Sequence, residues 1–151
     1  MGVDPEIDDV MAEAPRPRTA RILDGRTWLR IGWVGLVMGL ATLATIDLLL
    51  PGGLLPGSAS VEVARTAGFT TLVLAQLVNA FCARSATSSV FHGIFVNPWL
   101  WAATAFGVLA QVVVVHVPAL QSAFGTAPLT LTQWGLCLAM ASVVLWAQEL
   151  V

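Results

Sequence analysis

The sequence predicts an all-α membrane protein with four transmembrane helices and both termini in the cytoplasm. Three observations favour this fold class: an excess of apolar residues, four long apolar stretches, and arginines concentrated on one predicted side of the membrane. Hydrophobic residues make up 57% of the 151 residues and charged residues 11%, whereas a soluble domain carries about 25% charged residues. Mean hydropathy is +0.82. One small soluble core would not bury this much apolar surface, so a lipid bilayer is the expected surrounding.

Four apolar stretches give the predicted spans, which cover residues 31–50, 67–82, 99–117 and 133–150. Each approaches the roughly 20 residues that a helix needs to cross a hydrocarbon core of about 30 Å, although the second lies at the short limit. Pro118 closes the third stretch. Thr130 and Gln133 stand at capping-box spacing, which predicts side-chain hydrogen bonds at the start of the fourth helix.

The placement of arginine predicts the orientation, because short cytoplasmic loops are enriched in positive charge. Five arginines precede the first span, Arg84 lies between the second and third spans, and only Arg65 falls in the opposite loops. All six tryptophans lie within a turn or two of a predicted helix end, where an indole favours the headgroup region. We therefore expect a multi-pass protein of the plasma (inner) membrane with both ends in the cytoplasm.

The chain divides into a polar segment and a membrane domain. Residues 1–30 carry acidic side chains and then a run rich in proline and arginine, so we expect them to stay in water ahead of the four-helix domain, residues 31–151. A net charge of -2 and the lack of lysine exclude nucleic acid as a partner. The sequence shows no phosphate-binding loop, hydrolase elbow or HExxH motif, and no metal-ligand spacing. No catalytic residue, metal site or cofactor is therefore assigned within this chain.

Polar side chains inside the spans are the candidates for function, because an amide in hydrocarbon costs several kcal/mol unless it is hydrogen-bonded. Gln76 and Asn79 lie three residues apart, which places them on one face of the second helix. Their amide oxygens are suited to ligate a dehydrated cation, since hard ions prefer oxygen donors. The alternative is that both side chains hydrogen-bond to a neighbouring helix and serve packing alone.

Other residues of the spans are predicted to serve helix packing. Gly35 and Gly39 form a GxxxG motif, which permits close backbone approach to another helix. Ala103, Gly107 and Gln111 follow one another at four-residue spacing in the third span, and we expect a packing line there.

Further polar residues are given structural roles. Asp47 and Glu149 lie near helix ends, where their carboxylates reach the interface, and neither is expected to be an ion ligand. His92 and His116 have no second histidine or cysteine at metal-ligand spacing, so both are interpreted as structural. Cys82 and Cys137 fall at or inside apolar stretches, which implies neither a disulfide framework nor a zinc site.

Several strings of this sequence occur together, and in the same order, in one known family. They are GVDPEIDDVM followed by PRPRTARIL, then ARTAGFTTLVLAQLVNAFCARS, FVNPWLW and VVVVHVPALQSAFGTAPLTLTQW, with the closing run to Glu149. Together they resemble the C-terminal transmembrane region of P-type cation-transporting ATPases of the calcium-pump kind. The resemblance covers essentially the whole chain. It implies that residues 2–26 correspond to the loop after the family's sixth membrane helix, and the four spans to its seventh to tenth helices.

The resemblance also implies roles for individual residues. Gln76 falls where calcium pumps with two ion sites carry an acidic ligand, and where plasma-membrane-type pumps, thought to move one calcium ion per cycle, carry glutamine. Asn79 falls at a neighbouring polar position of the same helix face. The departure from the acidic pattern puts a second ion site in doubt. Gly35 and Gly39 look like the glycine pair by which the family's seventh helix packs on its fifth. The sequence has no cysteine-proline-cysteine motif, which disfavours the heavy-metal branch.

The family uses Mg-ATP and Ca²⁺ through parts that are absent from these 151 residues, namely the DKTG-type phosphorylation motif, the TGE loop and the fourth to sixth membrane helices. The implied function is a support segment that scaffolds the ion-binding helices in cation transport and neither hydrolyses ATP nor pumps by itself. Its expected partners are the lipid bilayer and the remaining ATPase core.

A function of a different class stays open. The chain is also compatible with a free-standing four-helix membrane protein that acts as an interaction or regulatory module, with the Gly35 and Gly39 face as its docking surface. An autonomous channel or carrier is disfavoured, because no span shows a continuous polar stripe.

Overall fold

The fold is known from a computed structural model that describes residues 25–53, 57–84 and 98–149. Within these three ranges the chain forms helices and no strand. The helices are α1 (Gly25–Leu49), α2 (Val61–Arg84), α3 (Pro98–His116), α4 (Pro118–Phe124) and α5 (Leu131–Glu149). All but α4 are long and apolar enough to cross a membrane. The predicted all-α class with four spans is confirmed, whereas the side on which the termini lie stays a prediction, as does the polar segment, of which residues 1–24 lie outside the described ranges.

Two helices begin earlier than the apolar pattern indicates. The structure starts α1 at Gly25, so Arg26 and Arg30 are helical, and their long side chains can reach the headgroup region from inside a helix. It starts α2 at Val61, where the Ser60 hydroxyl accepts a hydrogen bond from the Val63 amide at 3.3 Å. The predicted start near residue 67 was wrong because charged residues in the first turns hide the helix from a reading based on hydropathy alone.

The short helix α4 was not predicted. Pro118 ends the apolar stretch as expected, but it also occupies the first turn of a new helix, a position where its missing N–H costs nothing. Gly125 ends α4 in the left-handed conformation, with φ of 64°. Side chains from this region bond to carbonyls of the last turn of α3: Gln121 Nε2 donates to Val115 at 2.7 Å, and Thr126 Oγ1 to Val114 at 2.9 Å. The turn is therefore fixed against α3.

Helices α1, α2 and α5 pack against one another, and α3 packs on α2. Small residues allow the close approach, since a Cβ atom on Gly68 of α2 would lie 2.5 Å from Ile46 Cγ1 of α1. The buried residues between the helices are mainly small or branched, and they include Ala67, Leu74, Ala75, Val115, Cys137, Ala141 and Val144. Much of the apolar surface of α1 and α3 stays exposed, as expected for helices that face lipid or another protein.

Each of the other three long helices is joined to α2 by a side-chain hydrogen bond. Thr71 Oγ1 donates to Thr45 Oγ1 of α1 at 3.1 Å. Gln111 Nε2 of α3 donates to Thr70 Oγ1 at 2.9 Å. Gln148 Nε2 of α5 donates to Asn79 Oδ1 at 2.7 Å. Away from water such bonds satisfy groups that would otherwise be costly, so α2 is the centre of the bundle.

The beginning of α5 matches the sequence prediction. The Thr130 amide donates to Gln133 Oε1 at 2.8 Å, and the Gln133 amide donates to Thr130 Oγ1 at 3.4 Å. The predicted capping box is confirmed. Close by, Trp134 Nε1 donates to His116 Nε2 at 3.3 Å, and the two rings are stacked with centroids 6.4 Å apart. The structural interpretation of His116 is supported by this pair, whereas His92 lies outside the described residues.

Candidate functional site

A groove lined by both apolar and polar side chains opens on the face shared by α1, α2 and the end of α5. Its volume is about 390 Å³. Helix α1 lines one wall, and the polar residues come from α1, α2 and α5; the complete lining is Arg30, Ile31, Val34, Gly35, Met38, Gln76, Asn79 and Gln148. We call this feature the groove. It brings together the Arg30 cation, the two predicted ion ligands Gln76 and Asn79, and Gly35 of the GxxxG motif.

The α1 wall of the groove has a smooth surface. Val34 and Met38 point into the bundle and are buried, whereas Gly35 and Gly39, each one position further along, are exposed. A Cβ atom added to either glycine would meet nothing within 4 Å. The GxxxG pair therefore does not pack against any described part of this chain. The close contact between α1 and α2 is made at Gly68 instead, a residue that the sequence analysis did not single out.

Gln76 lies on the opposite wall with its side chain exposed. Within the ranges that the structure describes, it makes no hydrogen bond. A primary amide in the middle of a membrane span is costly unless it finds a polar partner. Both its oxygen and its N–H groups are therefore available to whatever covers this face.

Asn79 is arranged differently. Its Oδ1 accepts the 2.7 Å hydrogen bond from Gln148 Nε2, and its side chain is partly buried. Gln148 itself is only 6% exposed. Of the two predicted ion ligands, Gln76 thus has a free amide oxygen, whereas the Asn79 oxygen already has a donor and the Asn79 amide N–H groups remain for the groove.

Gln148 was missed by the sequence analysis, which considered its neighbour Glu149 and not Gln148 itself. The signal that would have found it is simple: it is an uncharged polar residue inside the last predicted span. Such residues are costly in lipid and therefore tend to face another helix. What the sequence alone could not indicate is the partner, because Gln148 and Asn79 are 69 positions apart.

The line predicted on α3 lies away from the groove. A Cβ atom on Gly107 would come within 3.0 Å of Leu77 Cδ2, so this glycine sits where α2 and α3 approach closely. Gln111 is 4% exposed and bonded to Thr70 in the same seam. Ala103 is exposed on α3. Gly107 and Gln111 therefore contribute to packing between α2 and α3, whereas Ala103 does not lie in that seam; none of the three lines the groove.

Metal-binding clusters are not found in the described part of the chain, where no three histidine, cysteine, aspartate or glutamate side chains come together. Cys82 and Cys137 are both buried, and neither forms a disulfide within the described residues; the Cys137 thiol donates to the Ala67 carbonyl at 3.4 Å. The polar groups of the groove are three amides and one guanidinium. Such groups suit hydrogen bonding, or one ligand of an ion whose other ligands come from elsewhere, and do not form a complete metal site by themselves.

Comparison with known families decides what this arrangement belongs to. A family model described as "Cation transporting ATPase, C-terminus" matches residues 1–151. The chain belongs to this family of cation-transporting ATPase C-termini. The resemblance inferred from the sequence strings is therefore confirmed. The four spans lie within the segment that corresponds to the C-terminus of cation-transporting ATPases.

Individual relatives of this C-terminal segment are calcium transporters by name. The chain is 35% identical over 165 residues to "Calcium-transporting ATPase 1" of Bacillus cereus, with all of the chain and 18% of that protein covered. It is 29% identical over 143 residues to "Calcium-transporting ATPase" of Bacillus subtilis, covering 95% of the chain and 16% of that protein. For "Calcium-transporting ATPase 1" of Schizosaccharomyces pombe the identity is 30%, over 99% of the chain and 16% of the relative. The chain thus spans less than a fifth of the length of these relatives.

Proposed function

We propose that this chain serves as the C-terminal membrane segment of a calcium-type P-type ATPase and scaffolds the ion-binding helices of the pump core. The groove carries the proposal, because it is a face of the bundle that its own helices leave open. In this arrangement Mg-ATP and Ca²⁺ are handled through domains that these 151 residues do not contain, and the chain neither hydrolyses ATP nor pumps by itself.

The shape of the groove fits a transmembrane helix. Gly35 and Gly39 leave the α1 backbone uncovered, and in membranes such small-residue surfaces allow another helix to approach to backbone contact. Lipid chains would also fill this surface, but they would leave the Gln76 amide without a partner. A helix that carries polar side chains would both cover the surface at Gly35 and Gly39 and give the Gln76 amide a hydrogen-bond partner. The pump core is the source of such a helix in this family.

The polar groups of the groove indicate which chemical groups the docking helix carries. Gln76 offers a free oxygen, which is the ligand type that Ca²⁺ prefers, and it is proposed as a secondary ion ligand. Asn79 offers N–H groups, which suit an acceptor on the docking helix such as a carboxylate or a backbone carbonyl. Arg30 adds a positive charge at one end of the groove. The primary ion ligands are assigned to the core.

A complementation experiment tests the proposal. The core of the Bacillus cereus calcium-transporting ATPase, truncated before the segment that this chain matches, is fused to this chain and expressed in a strain lacking calcium pumps. ATP-dependent ⁴⁵Ca²⁺ uptake is measured in membrane vesicles. We expect uptake with the fusion, and none with the truncated core or with this chain alone. Uptake by the chain alone, or failure of the fusion despite normal membrane insertion, would contradict the scaffold role.

Matched variants connect the result to the groove. Gly35→Leu with Gly39→Leu covers the exposed GxxxG face of α1, of which Gly35 lines the groove, and is expected to abolish uptake by the fusion. Gly135→Leu is the control, because Gly135 on α5 is also exposed with nothing within 4 Å of an added Cβ and does not line the groove. Equal effects of the two changes would remove the groove from the interface. Fractionation of the same cells tests the proposed location in the plasma membrane.

A further inference from the structure

A second, smaller cleft lies at the opposite end of the bundle from Arg30. Its volume is about 200 Å³. One wall is formed by the first turns of α2 and the other by the end of α4 with the turn that follows it; the lining residues are Arg65, Thr66, Phe69, Phe124, Gly125 and Thr126. We call this feature the α4 cleft.

Internal hydrogen bonds hold the two walls of the α4 cleft together. The amide of Ala127 donates to Thr66 Oγ1 at 2.9 Å, which ties the turn after α4 to α2. Thr126 Oγ1 is bonded to the Val114 carbonyl, and Thr66 Oγ1 donates to the Glu62 carbonyl at 2.8 Å. Both threonine hydroxyls are therefore occupied. Among the side chains of the α4 cleft, only the Arg65 guanidinium is left to bind a polar ligand, and it forms no ion pair or hydrogen bond with another described residue.

The side chains along α2 are complementary, in order of depth, to the acyl chain, the phosphate and the ammonium of a zwitterionic phospholipid. Phe69 is 40% exposed and lies one turn, about 6 Å, deeper into the span than Arg65. Glu62 lies about 5 Å further out than Arg65, on the same helix face. The sequence from hydrocarbon to water is thus aromatic ring, cation, carboxylate. Phe124, which is 60% exposed, adds a second aromatic ring on the facing wall.

We propose that the α4 cleft binds one phospholipid whose headgroup carries a phosphate and a primary ammonium, as in phosphatidylethanolamine. The phosphate lies against Arg65, the ammonium reaches Glu62, and an acyl chain packs between Phe69 and Phe124. A guanidinium binds a phosphodiester with charge-assisted hydrogen bonds, and a primary ammonium donates hydrogen bonds that a quaternary choline nitrogen cannot. Neither Glu62 nor Asp47, the two described acidic residues at this end of the bundle, lines the α4 cleft itself. Glu62 lies one turn beyond its lining on α2, so the ammonium contact is placed at the outer edge of the cleft.

Native mass spectrometry of the purified chain tests this site. The chain in detergent is titrated with phosphatidylethanolamine, phosphatidylcholine and phosphatidylglycerol of the same acyl chains, and the retained lipid is counted. We expect preferential retention of one phosphatidylethanolamine, which excess glycerophosphoethanolamine, a headgroup without acyl chains, does not displace. Equal retention of the three lipids, or displacement by the headgroup alone, would overturn the proposal.

Variants assign the headgroup contacts. Arg65→Gln is expected to weaken phosphatidylethanolamine retention about tenfold, the effect of losing one charge-assisted hydrogen bond. Arg65→Lys restores it in part, and Glu62→Gln removes the preference over phosphatidylglycerol while leaving phosphatidylglycerol bound. Arg26→Gln is the control, because Arg26 is exposed at the other end of the bundle.

A measurement on the unaltered chain covers the case in which Arg65→Gln does not fold. Raising the salt concentration should reduce lipid retention, since the headgroup contacts are exposed ion pairs. Retention that does not change with salt, or that is unchanged in a folded Arg65→Gln variant, would rule out the assigned phosphate contact.

Discussion

Gln148 Nε2 of α5 donates a 2.7 Å hydrogen bond to Asn79 Oδ1 of α2, and this bond orients one of the two amides of the groove. The residues are remote in sequence, and only Asn79 is predictable as functional from its helix face. Because the bond occupies the Asn79 oxygen, it separates the roles of two amides that appear equivalent in the sequence: Gln76 presents a free oxygen, and Asn79 presents N–H groups.

Replacing Gln148 should destabilise the bundle. In Gln148→Leu the Asn79 oxygen loses its donor in an apolar surrounding, so we expect the free energy of unfolding to fall by about 1 kcal/mol. Unfolding of the purified chain in mixed SDS micelles, followed by circular dichroism, measures this. Gln76→Leu is the control, since Gln76 has no hydrogen bond within the described residues. A loss as large for Gln76→Leu as for Gln148→Leu would contradict the assignment.

The bond between Gln111 and Thr70 should appear as an energetic coupling. In a double-mutant cycle with Gln111→Leu and Thr70→Val, we expect a coupling energy of about 0.6 kcal/mol, typical of hydrogen bonds between membrane helices. Thr70→Val combined with Gln148→Leu serves as the comparison, because those side chains share no bond, and its effects should add. Strict additivity in the first cycle would show that the α2–α3 bond contributes nothing.

Two glycines should respond in opposite ways to the same substitution. Gly68→Ala places a methyl group 2.5 Å from Ile46 Cγ1, so overpacking should lower the free energy of unfolding of the chain by about 1–3 kcal/mol. Gly35→Ala meets open space and gains helix propensity of up to about 1 kcal/mol. Both are measured in the micelle assay. If Gly35→Ala were the more destabilising change, the GxxxG face would be packed inside the bundle.

Calcium activation should depend on the groove and not on the α2–α3 seam. In the active fusion, we expect Gln76→Ala to raise the Ca²⁺ concentration for half-maximal ATPase activity by about tenfold, which corresponds to about 1.4 kcal/mol. Gln111→Ala, a buried amide outside the groove, should leave that concentration nearly unchanged at matched expression. Equal or reversed effects would take Gln76 out of the ion path.

The spans were predictable because a backbone in the hydrocarbon core has no water to hydrogen-bond with and therefore forms a helix. A stretch of about 20 apolar residues has to satisfy its own N–H and C=O groups, so length and hydropathy alone indicate four helices. The start of α2 was less visible, since Glu62 and Arg65 lie in its first turns, where hydropathy falls although the helix continues. Helix α4 was invisible for a similar reason: Pro118 is a stop signal in sequence and also an excellent first residue of a helix.

The candidate site was predictable only in part. Spacing places Gln76 and Asn79 on one face of α2, and Gly35 and Gly39 on one face of α1. Spacing within a helix does not indicate which helix faces contact each other. That depends on pairings between distant residues, such as Thr45 with Thr71 and Asn79 with Gln148. The GxxxG motif illustrates the same limit, because the motif predicts close packing of α1, yet α1 makes its close contact with α2 at Gly68 of α2.

The bonds that join α2 to its three long neighbours also restrict how it moves. Two of them leave from the adjacent residues Thr70 and Thr71 toward different helices, and the third leaves from Asn79, about two turns further along α2. Because the three partners belong to three different helices, rotation of α2 about its own axis would strain all three bonds, so they oppose a change in the direction of the Gln76 side chain. In the scaffold role proposed above, the surroundings of Gln76 would change during transport through movement of the helix that docks in the groove, and not through rotation of α2.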